Sequence, residues 1–368
     1  MFGYFDTRSV DIEPAGLIDE EYLAALRSRS GWTFEQLVRE LDDRMRAFNR
    51  TVDPLVALLS YRTTDITVEY SVPQAFLPEA RTEYTMARPQ IGTRRGGYPL
   101  AWKAWDQAMA WTEQGLRNER LTVITDSIDG HLQGLRNWLR YRVLLRLFST
   151  DDWFVDDDSE AAGVSPGFAG ASSVHPYTRP YPTGLPLPGG YTHYIRTASA
   201  GLAAAVQAGI DLLRAQGHLP PYDVIGPVDM VNLFKADTTN FVKAGSTLIR
   251  PGPDQAEALV DPNQFVGAYL DYVQVRYPIP DFTSPNFALV KLYGINDRRN
   301  PIAIRYAMDE QQEPEGTYIR SRNLFPLAHA EVVSGWQPNV GNRTAAVLYT
   351  VAASGAYVAP TISPYTTS

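Results

Sequence analysis

Cysteine is absent from all 368 residues. That removes disulfides, thiolate metal sites and cysteine nucleophiles together. Lysine is almost absent too. It occurs at Lys103, Lys235, Lys243 and Lys291, and the rest of the 33 basic residues are arginine. Arginine makes bidentate carboxylate pairs and carries its charge into interfaces more readily than lysine. The bias suits a protein built on many contacts, and a GC-rich genome would leave the same mark. No run of eighteen apolar residues occurs, so no membrane-spanning helix is expected. The opening MFGYFDTRSVDIEP lacks the basic segment and apolar core of a signal peptide, and the protein is expected to be made and kept in cytoplasm. Without secretion, the glycosylation patterns at Asn49 and Asn342 carry no meaning. A net charge of −8 gives no global attraction for nucleic acid, so any DNA contact would be local.

Sites of chemistry are equally sparse. The five histidines, His131, His175, His193, His218 and His329, have no metal-ligand spacing. The acidic cluster at Asp151, Asp152, Asp156, Asp157, Asp158 and Glu160 lacks the glycine and closing glutamate of a calcium loop and reads as a solvated face. Neither a P-loop nor a dinucleotide-binding fingerprint is present. Gly163-Val164-Ser165-Pro166-Gly167 matches G-x-S-x-G by letter. The residue after the serine must give a backbone N–H to the oxyanion hole, and Pro166 has none. Nor does an apolar strand lead into the segment. The expectation is therefore no catalytic residue, no cofactor and no metal.

What is present is pattern. The stretch from Trp102 to Phe148 contains no proline. Leu121, Ile124, Ile128, Leu132, Leu135, Leu139 and Val143 recur at gaps of three and four, one face of an α-helix. Trp102, Trp105 and Met109 start a similar stripe, while Arg117, Arg120, Arg136, Arg140 and Arg146 fall largely off it. A single helix over this length would reach roughly 70 Å. Gly115, Gly130 and Gly134 each weaken it by about 1 kcal/mol relative to Ala. A break or bend is expected near Leu121–Asp129. Two helices in series and one backbone-like helix are the alternatives.

Near the N-terminus, Asp19, Glu20 and Glu21 begin a short helix that ends at Arg27 and Arg29, with charges matching its dipole. Thr33 and Gln36 form a capping-box pattern for a second helix whose face is Phe34, Leu37, Val38, Leu41, Met45 and Phe48. Pro54 lies just beyond it. Ile66, Val68, Tyr70 and Val72 then alternate with polar residues, the period of a strand. Thr82 to Met86 alternates back, and Arg94-Arg95-Gly96-Gly97 closes the segment. This predicts a long two-stranded hairpin between helical stretches, lying either on its own subunit or over a neighbour. Arg94-Arg95 and Arg298-Arg299 read as basic pairs in turns, suited to a carboxylate on another subunit or to DNA phosphates. From Gly163 to Gly190 the chain is rich in Gly, Pro, Ser and Tyr. A helix is predicted over Ala198–Gln216, a short helix over Val228–Phe234, and strands at Tyr191–Ile195, Tyr222–Ile225, Tyr269–Tyr277, Phe287–Tyr293 and Ile302–Met308. Strands at Ala330–Val333 and Ala345–Ala353 bracket Gly335-Trp336-Gln337-Pro338-Asn339. The fold class is α+β.

The order of these pieces resembles the HK97-fold major capsid protein of tailed bacteriophages. A helical arm, a long hairpin, a spine helix, a Gly-rich loop, an α+β lobe and a closing strand pair come in succession, and EVVSGWQPNVGNRTAAVLYTVA is similar to the family's closing strands. The resemblance implies an N-terminal arm at 1–59, an E-loop-like hairpin at 60–101 and a peripheral domain with the spine helix at 102–197. An axial domain at 198–329 comes next, then a return to the peripheral domain with the tail at 330–368. It implies a structural protein, not an enzyme, that assembles with itself into pentamers and hexamers of an icosahedral shell. The shell would enclose double-stranded DNA through local, non-specific contacts. A portal and a decoration protein are among the partners the resemblance allows, with a separate scaffolding protein or none, and no membrane. Such a protein is found in the virion and assembled in host cytoplasm. Ile66, Val68, Tyr70, Tyr84, Arg94 and Arg95 are the candidate subunit-interface residues. An encapsulin-like nanocompartment shell around cargo enzymes is the alternative. Some members cross-link a hairpin lysine to a neighbour's asparagine. Tyr61–Leu100 holds no lysine, so no such bond is expected.

Overall fold

The computed structural model describes residues 31, 34–50, 53–73, 93–112, 118, 121–149, 153–155, 163–165, 194–243, 267–270, 273–275, 285–306, 317–324, 327–352 and 360–362. The chain divides into two compact units. One comprises Met1–Ala57, Trp102–Arg140 and Ile304–Gln337, and the other Leu58–Ala101, Tyr141–Ala303 and Pro338–Ser368. The class is α+β, as expected. The early helix at Asp19–Arg29, the acidic cluster and most of the Gly-rich stretch lie outside the described residues.

In the first unit, α1 is Phe34–Arg50, beginning where the capping pattern placed it. Arg44 pairs with Glu40 one turn earlier at 2.8 Å and with Asp129 on the long helix. Pro54 does not merely come after this helix. It opens α2, Pro54–Leu59. Proline suits the first helical position, where its missing N–H is not needed. Asp53 caps the turn by accepting from the N–H groups of Leu55 at 2.8 Å and Val56 at 3.2 Å.

The long helix, α3, runs Leu121–Phe148. Its 28 residues span about 42 Å rather than 70. Ile128, Leu132, Leu135 and Val143 are buried as their spacing requires, and Leu139 is half-buried. Gly130 and Gly134 lie exposed within it, so only helix propensity is lost there. No break occurs at Leu121–Asp129; the helix begins there. Arg136 and Arg140 are half-buried, the first with its guanidinium 4.9 Å from the Phe48 ring centre, the second 3.9 Å from Asp53. Arg146, expected off the buried stripe, is fully buried.

Trp102, Trp105 and Met109 do not continue this helix. Trp102 precedes, and the other two lie on, a strand, Ala104–Thr112. We label the earlier strands β1, Ser60–Thr63, β2, Thr67–Pro73, and β3, Thr93–Pro99, so that this one is β4. Along β4, Ala104 and Asp106 are exposed while Trp105 and Gln107 are half-buried, a period of two. Nine residues of β4 pair antiparallel with a strand near the C-terminus, from Ala104↔Gly335 to Thr112↔Leu327. A distant partner outweighs the local three-and-four spacing of two tryptophans and a methionine. The tryptophans then serve the sheet: Trp105 lies edge-on to Trp138 at 5.2 Å and 5.7 Å from Trp336, and its indole N–H donates to the Trp336 carbonyl at 2.8 Å.

The second unit is built on a seven-stranded sheet. After β5, Trp153–Val155, and β6, Gly163–Ser165, come β7, Tyr194–Thr197, and β8, Tyr222–Ile225. Then come β9, Phe241–Lys243, β10, Gly267–Tyr269, β11, Val273–Val275, and β12, Asn286–Val290. The expected strand Tyr269–Tyr277 is instead a tight antiparallel pair, β10 with β11, turned at Leu270, whose φ is 48°. Toward the C-terminus lie β13, Ile302–Tyr306, β14, Thr317–Leu324, β15, Leu327–Val340, and β16, Ala346–Val351, of which β14 and β15 as far as Gln337 belong to the first unit. The sheet order is β7-β16-β12-β8-β11-β10-β9. β14 pairs antiparallel with β15, Thr317↔Ser334 to Leu324↔Leu327. β15 runs straight through Gly335–Asn339, which the sequence placed between strands. Pro338 falls beyond the stretch paired with β4 and β14, where its missing N–H breaks neither ladder.

Two helices cover the sheet: α4, Leu202–Ala215, buries Leu202, Val206, Gly209, Ile210 and Leu213, and α5, Val228–Ala236, buries Met230, Val231 and Phe234. Phe287 stacks on Tyr349 at 4.4 Å, and Phe234 meets Phe287 and Tyr269 edge-on at 5.2 and 4.9 Å. The Tyr349 hydroxyl donates to the Ala205 carbonyl at 3.3 Å, and burial pushes its pKa well up. Gly209 makes room for it: a β-carbon there would lie 1.6 Å from that hydroxyl oxygen.

Gly209→Ala should therefore destabilise the protein by about 1–3 kcal/mol, as overpacked cores do. Tyr349→Phe in the same chain should return part of the loss, read as the shift in urea midpoint. Asp237 supplies a pH dependence. The Tyr269 hydroxyl, donating at 2.6 Å, and then the Asn240 side chain hold its carboxyl below the usual carboxylate range. A depressed carboxylate stabilises above its unfolded value, about pH 4, and that contribution is lost as pH falls from there through the lowered value. Asp237→Asn should flatten the acid limb of a thermal-stability profile in this window.

Candidate assembly interface

The sequence concentrates its candidate residues on the hairpin, and β2 and β3 form it. Their register runs from Thr67↔Pro99 to Pro73↔Thr93. Residues 74–92, including Tyr84 and the predicted return strand Thr82–Met86, lie outside the described residues. Among the described residues the two strands make a sheet of their own. Arg94 stands opposite Val72 and Arg95 opposite Ser71, so this pair lies within a strand and not in a turn. Tyr70 stands opposite Gly96. The hairpin leads into strand β4, not into a helix.

The hairpin is rooted in the second unit by buried groups. Val68 is half-buried and packs against Tyr61, Tyr98, Leu100 and Ala303. Ile66, half-buried just ahead of β2, accepts at its carbonyl from the Leu100 N–H at 2.7 Å. The Tyr98 hydroxyl donates to the carbonyls of Val340 at 2.8 Å and Gly341 at 3.0 Å. Asn339, fully buried, holds the backbone of Ala101 in both directions: its Oδ1 accepts from the N–H at 2.8 Å and its Nδ2 donates to the carbonyl at 2.9 Å. Asn300, also fully buried, donates to the Gly294 carbonyl at 2.7 Å and accepts from the Tyr293 N–H at 3.1 Å. Gly341 is needed because a β-carbon would lie 2.6 Å from the Tyr61 ring. Burial pushes the Tyr61 hydroxyl up to about 12, with Arg298 opposing and Asp65 adding to the shift. Sequence reading missed Asn300, Asn339 and Tyr98. Asn339 belonged to a segment read as a loop, where an asparagine carries no signal of burial.

Arg298 and Arg299 do lie in a turn. Asp297 accepts from Arg299 at Nε, 3.0 Å, and Nη2, 2.7 Å, which holds the Asp297 carboxyl below its usual range. Arg298 lies 3.5 Å from Asp65, with both side chains exposed.

The segment that matches G-x-S-x-G by letter is a strand. Gly163–Ser165 is β6, paired antiparallel with β5 so that Ser165 stands opposite Trp153, a short hairpin rather than the sharp turn into a helix of a nucleophile elbow. Among the described residues no three His, Asp or Glu side chains are placed to hold a metal ion, and no helix is long and apolar enough to cross a membrane. His218 is buried, its Nδ1 bonded with the Tyr293 hydroxyl and its Nε2 2.9 Å from Thr344 Oγ1, a structural role.

No protein-family model matches the chain, and no curated protein matches it. Solved structures do. The chain shares its fold with a chain from Mycobacterium phage Patience, with a TM-score of 0.63 at 16% identity, covering 96% of this chain and 97% of that one. Looser likenesses are to the asymmetric unit of the bacteriophage PhiM1 mature capsid and to the capsid of a native GTA particle. The first has a TM-score of 0.46 at 8% identity, over 83% of this chain and 89% of that one. The second has a TM-score of 0.43 at 14% identity, over 81% and 89%. At 16% identity the likeness to the phage Patience chain establishes the fold alone.

Asn339→Ala should loosen the hairpin root by about 1–3 kcal/mol, since it strips both backbone groups of Ala101 of their partner. Hydrogen exchange at Ala101 and Leu100 should quicken accordingly, while α4 amides keep their protection.

Proposed function

We propose that this chain is the major capsid protein of a tailed bacteriophage, assembling with itself into pentamers and hexamers of an icosahedral shell around double-stranded DNA. The observation that carries this reading is the fold shared with the phage Patience chain over nearly the whole length of both. The order of elements supports it: an N-terminal helix, a hairpin, a long helix, an α+β lobe and closing strands.

The geometry suits assembly. A two-stranded ribbon alone is marginal in water, and its open edges invite another chain. Here the ribbon is clamped at its root by buried polar contacts, so its reach is aimed by the lobe that holds it. A neighbouring subunit covers it in the shell, with Tyr70, Tyr84, Arg94 and Arg95 at that contact. Several such contacts of modest strength close a symmetric shell. The net charge of −8 leaves DNA to local, non-specific contacts. A portal, a scaffolding protein and a decoration protein complete the particle, assembled in host cytoplasm. The role is structural, without enzymatic activity.

The purified protein, alone and with a candidate scaffolding protein, should form closed shells or rings of five or six in light scattering and negative-stain microscopy. A permanent monomer under both conditions overturns the reading, and shells filled with cargo protein instead of DNA in infected cells assign it to a nanocompartment. Arg94→Glu with Arg95→Glu should impair assembly and leave the subunit's melting temperature unchanged. Normal shells from that variant remove the two arginines from the contact.

A further inference from the structure

The ladder of the hairpin has a fixed parity. Just before the paired strands, the Leu100 N–H donates to the Ile66 carbonyl at 2.7 Å. Bonded and unbonded pairs alternate along an antiparallel ladder. Val68 with Tyr98, Tyr70 with Gly96 and Val72 with Arg94 are therefore the bonded pairs. Pro99 and Pro73 fall on unbonded ones, where a missing N–H costs the ribbon nothing. The same parity turns the N–H and carbonyl groups of Thr67, Glu69 and Ser71 away from β3, along the outer edge of β2.

That edge is regular and undefended. Sheet edges are guarded by prolines, bulges, charged residues or a covering segment. β3 has such guards: Arg94 and Arg95, Pro99 at its end, and β6 close to it. β2 pairs along its whole length without a bulge. It carries no proline before Pro73 and one charged residue, Glu69. Thr67 is exposed, and among the described residues no strand other than β3 pairs with β2. Thr67, Glu69 and Ser71 thus present donors and acceptors in one row, which an extended segment meets all at once. The base of the row is held by Asn339 and Tyr98, so it loses little freedom on docking.

We infer that the outer edge of β2 is a docking strand: an extended segment of a second copy of this chain adds to it, main chain to main chain, through Thr67, Glu69 and Ser71. The inference rests on the assembly reading and names the edge and the bonding mode of the hairpin's contact. In a shell of one chain every subunit presents this edge, and the other copies come in matching number to cover it.

Proline tests the backbone directly. Glu69→Pro removes an outward N–H and leaves the β2–β3 bonds in place, as Pro73 and Pro99 do. It should keep the subunit's melting temperature and abolish closed shells, whereas Glu69→Ala should assemble as the wild type does. Equal loss from Glu69→Ala assigns the effect to the side chain and overturns the backbone mode. Normal shells from a folded Glu69→Pro variant overturn the inference and leave the capsid reading intact. Hydrogen exchange on the unmodified chain gives a second reading. In free subunits the amides of Thr67, Glu69 and Ser71 should exchange at least about tenfold faster than those of Val68, Tyr70 and Val72, and in shells they should slow to match. Amides that stay fast in shells overturn the inference. Protection already present in the free subunit overturns it in favour of the chain's own residues, and protection confined to particles holding a further protein overturns it in favour of that partner. A wild-type chain that never assembles overturns both this contact and the capsid reading.

Discussion

The contact on which the hairpin depends is the two-way bond between Asn339 and the backbone of Ala101. It joins the end of one long strand to the chain just past the returning arm of the hairpin. Tyr98 adds a hydroxyl shared between two carbonyls of the next residues, Val340 and Gly341. Asn339 is fully buried and Tyr98 nearly so, and each finds its partner on the backbone. Buried polar groups satisfied in this way contribute little net energy but allow one arrangement, since any other leaves them unpaired. The described base of the arm is thus aimed by geometry.

The lobe behind the root supplies stiffness of a different kind. The aromatic chain Tyr269–Phe234–Phe287–Tyr349 crosses the seven-stranded sheet under α4 and α5. Its central strands β8, β12 and β16 are buried along almost their whole length, which requires the near-continuous apolar runs seen there. The missing β-carbon of Gly209 lets α4 approach Tyr349. In the first unit the same economy is met by tryptophan: Trp105, Trp138 and Trp336 join strand to helix, and an indole N–H secures the register.

A chain without cysteine, and with no lysine in its hairpin, has no disulfide and no hairpin lysine for a cross-link. Its basic charge is almost all arginine, and the structure displays it in use, with Arg44, Arg140 and Arg299 each engaged by a carboxylate.

The sequence by itself determined the elements whose partners lie on the same helix or strand. The buried face of α3 from Ile128 to Val143, the start of α1, the span of α4 and the strand at Tyr222–Ile225 were legible because their periodicity is local. The candidate site was legible only in part: β2 was visible in alternation, whereas its partner Thr93–Pro99 contains two arginines and two glycines and shows no strand pattern. Tertiary structure alone decided the rest. Ala104–Thr112 is a strand because Leu327–Gly335 lies beside it, although its tryptophans and methionine fall at helical gaps. Gly335–Asn339 is extended despite its glycine and proline, and Asn300, Asn339 and Tyr98 form the root only when segments more than two hundred residues apart meet. Such pairings win because hydrogen bonds and burial across distant strands outweigh preferences of a fraction of a kcal/mol per residue, about the whole range of local propensity.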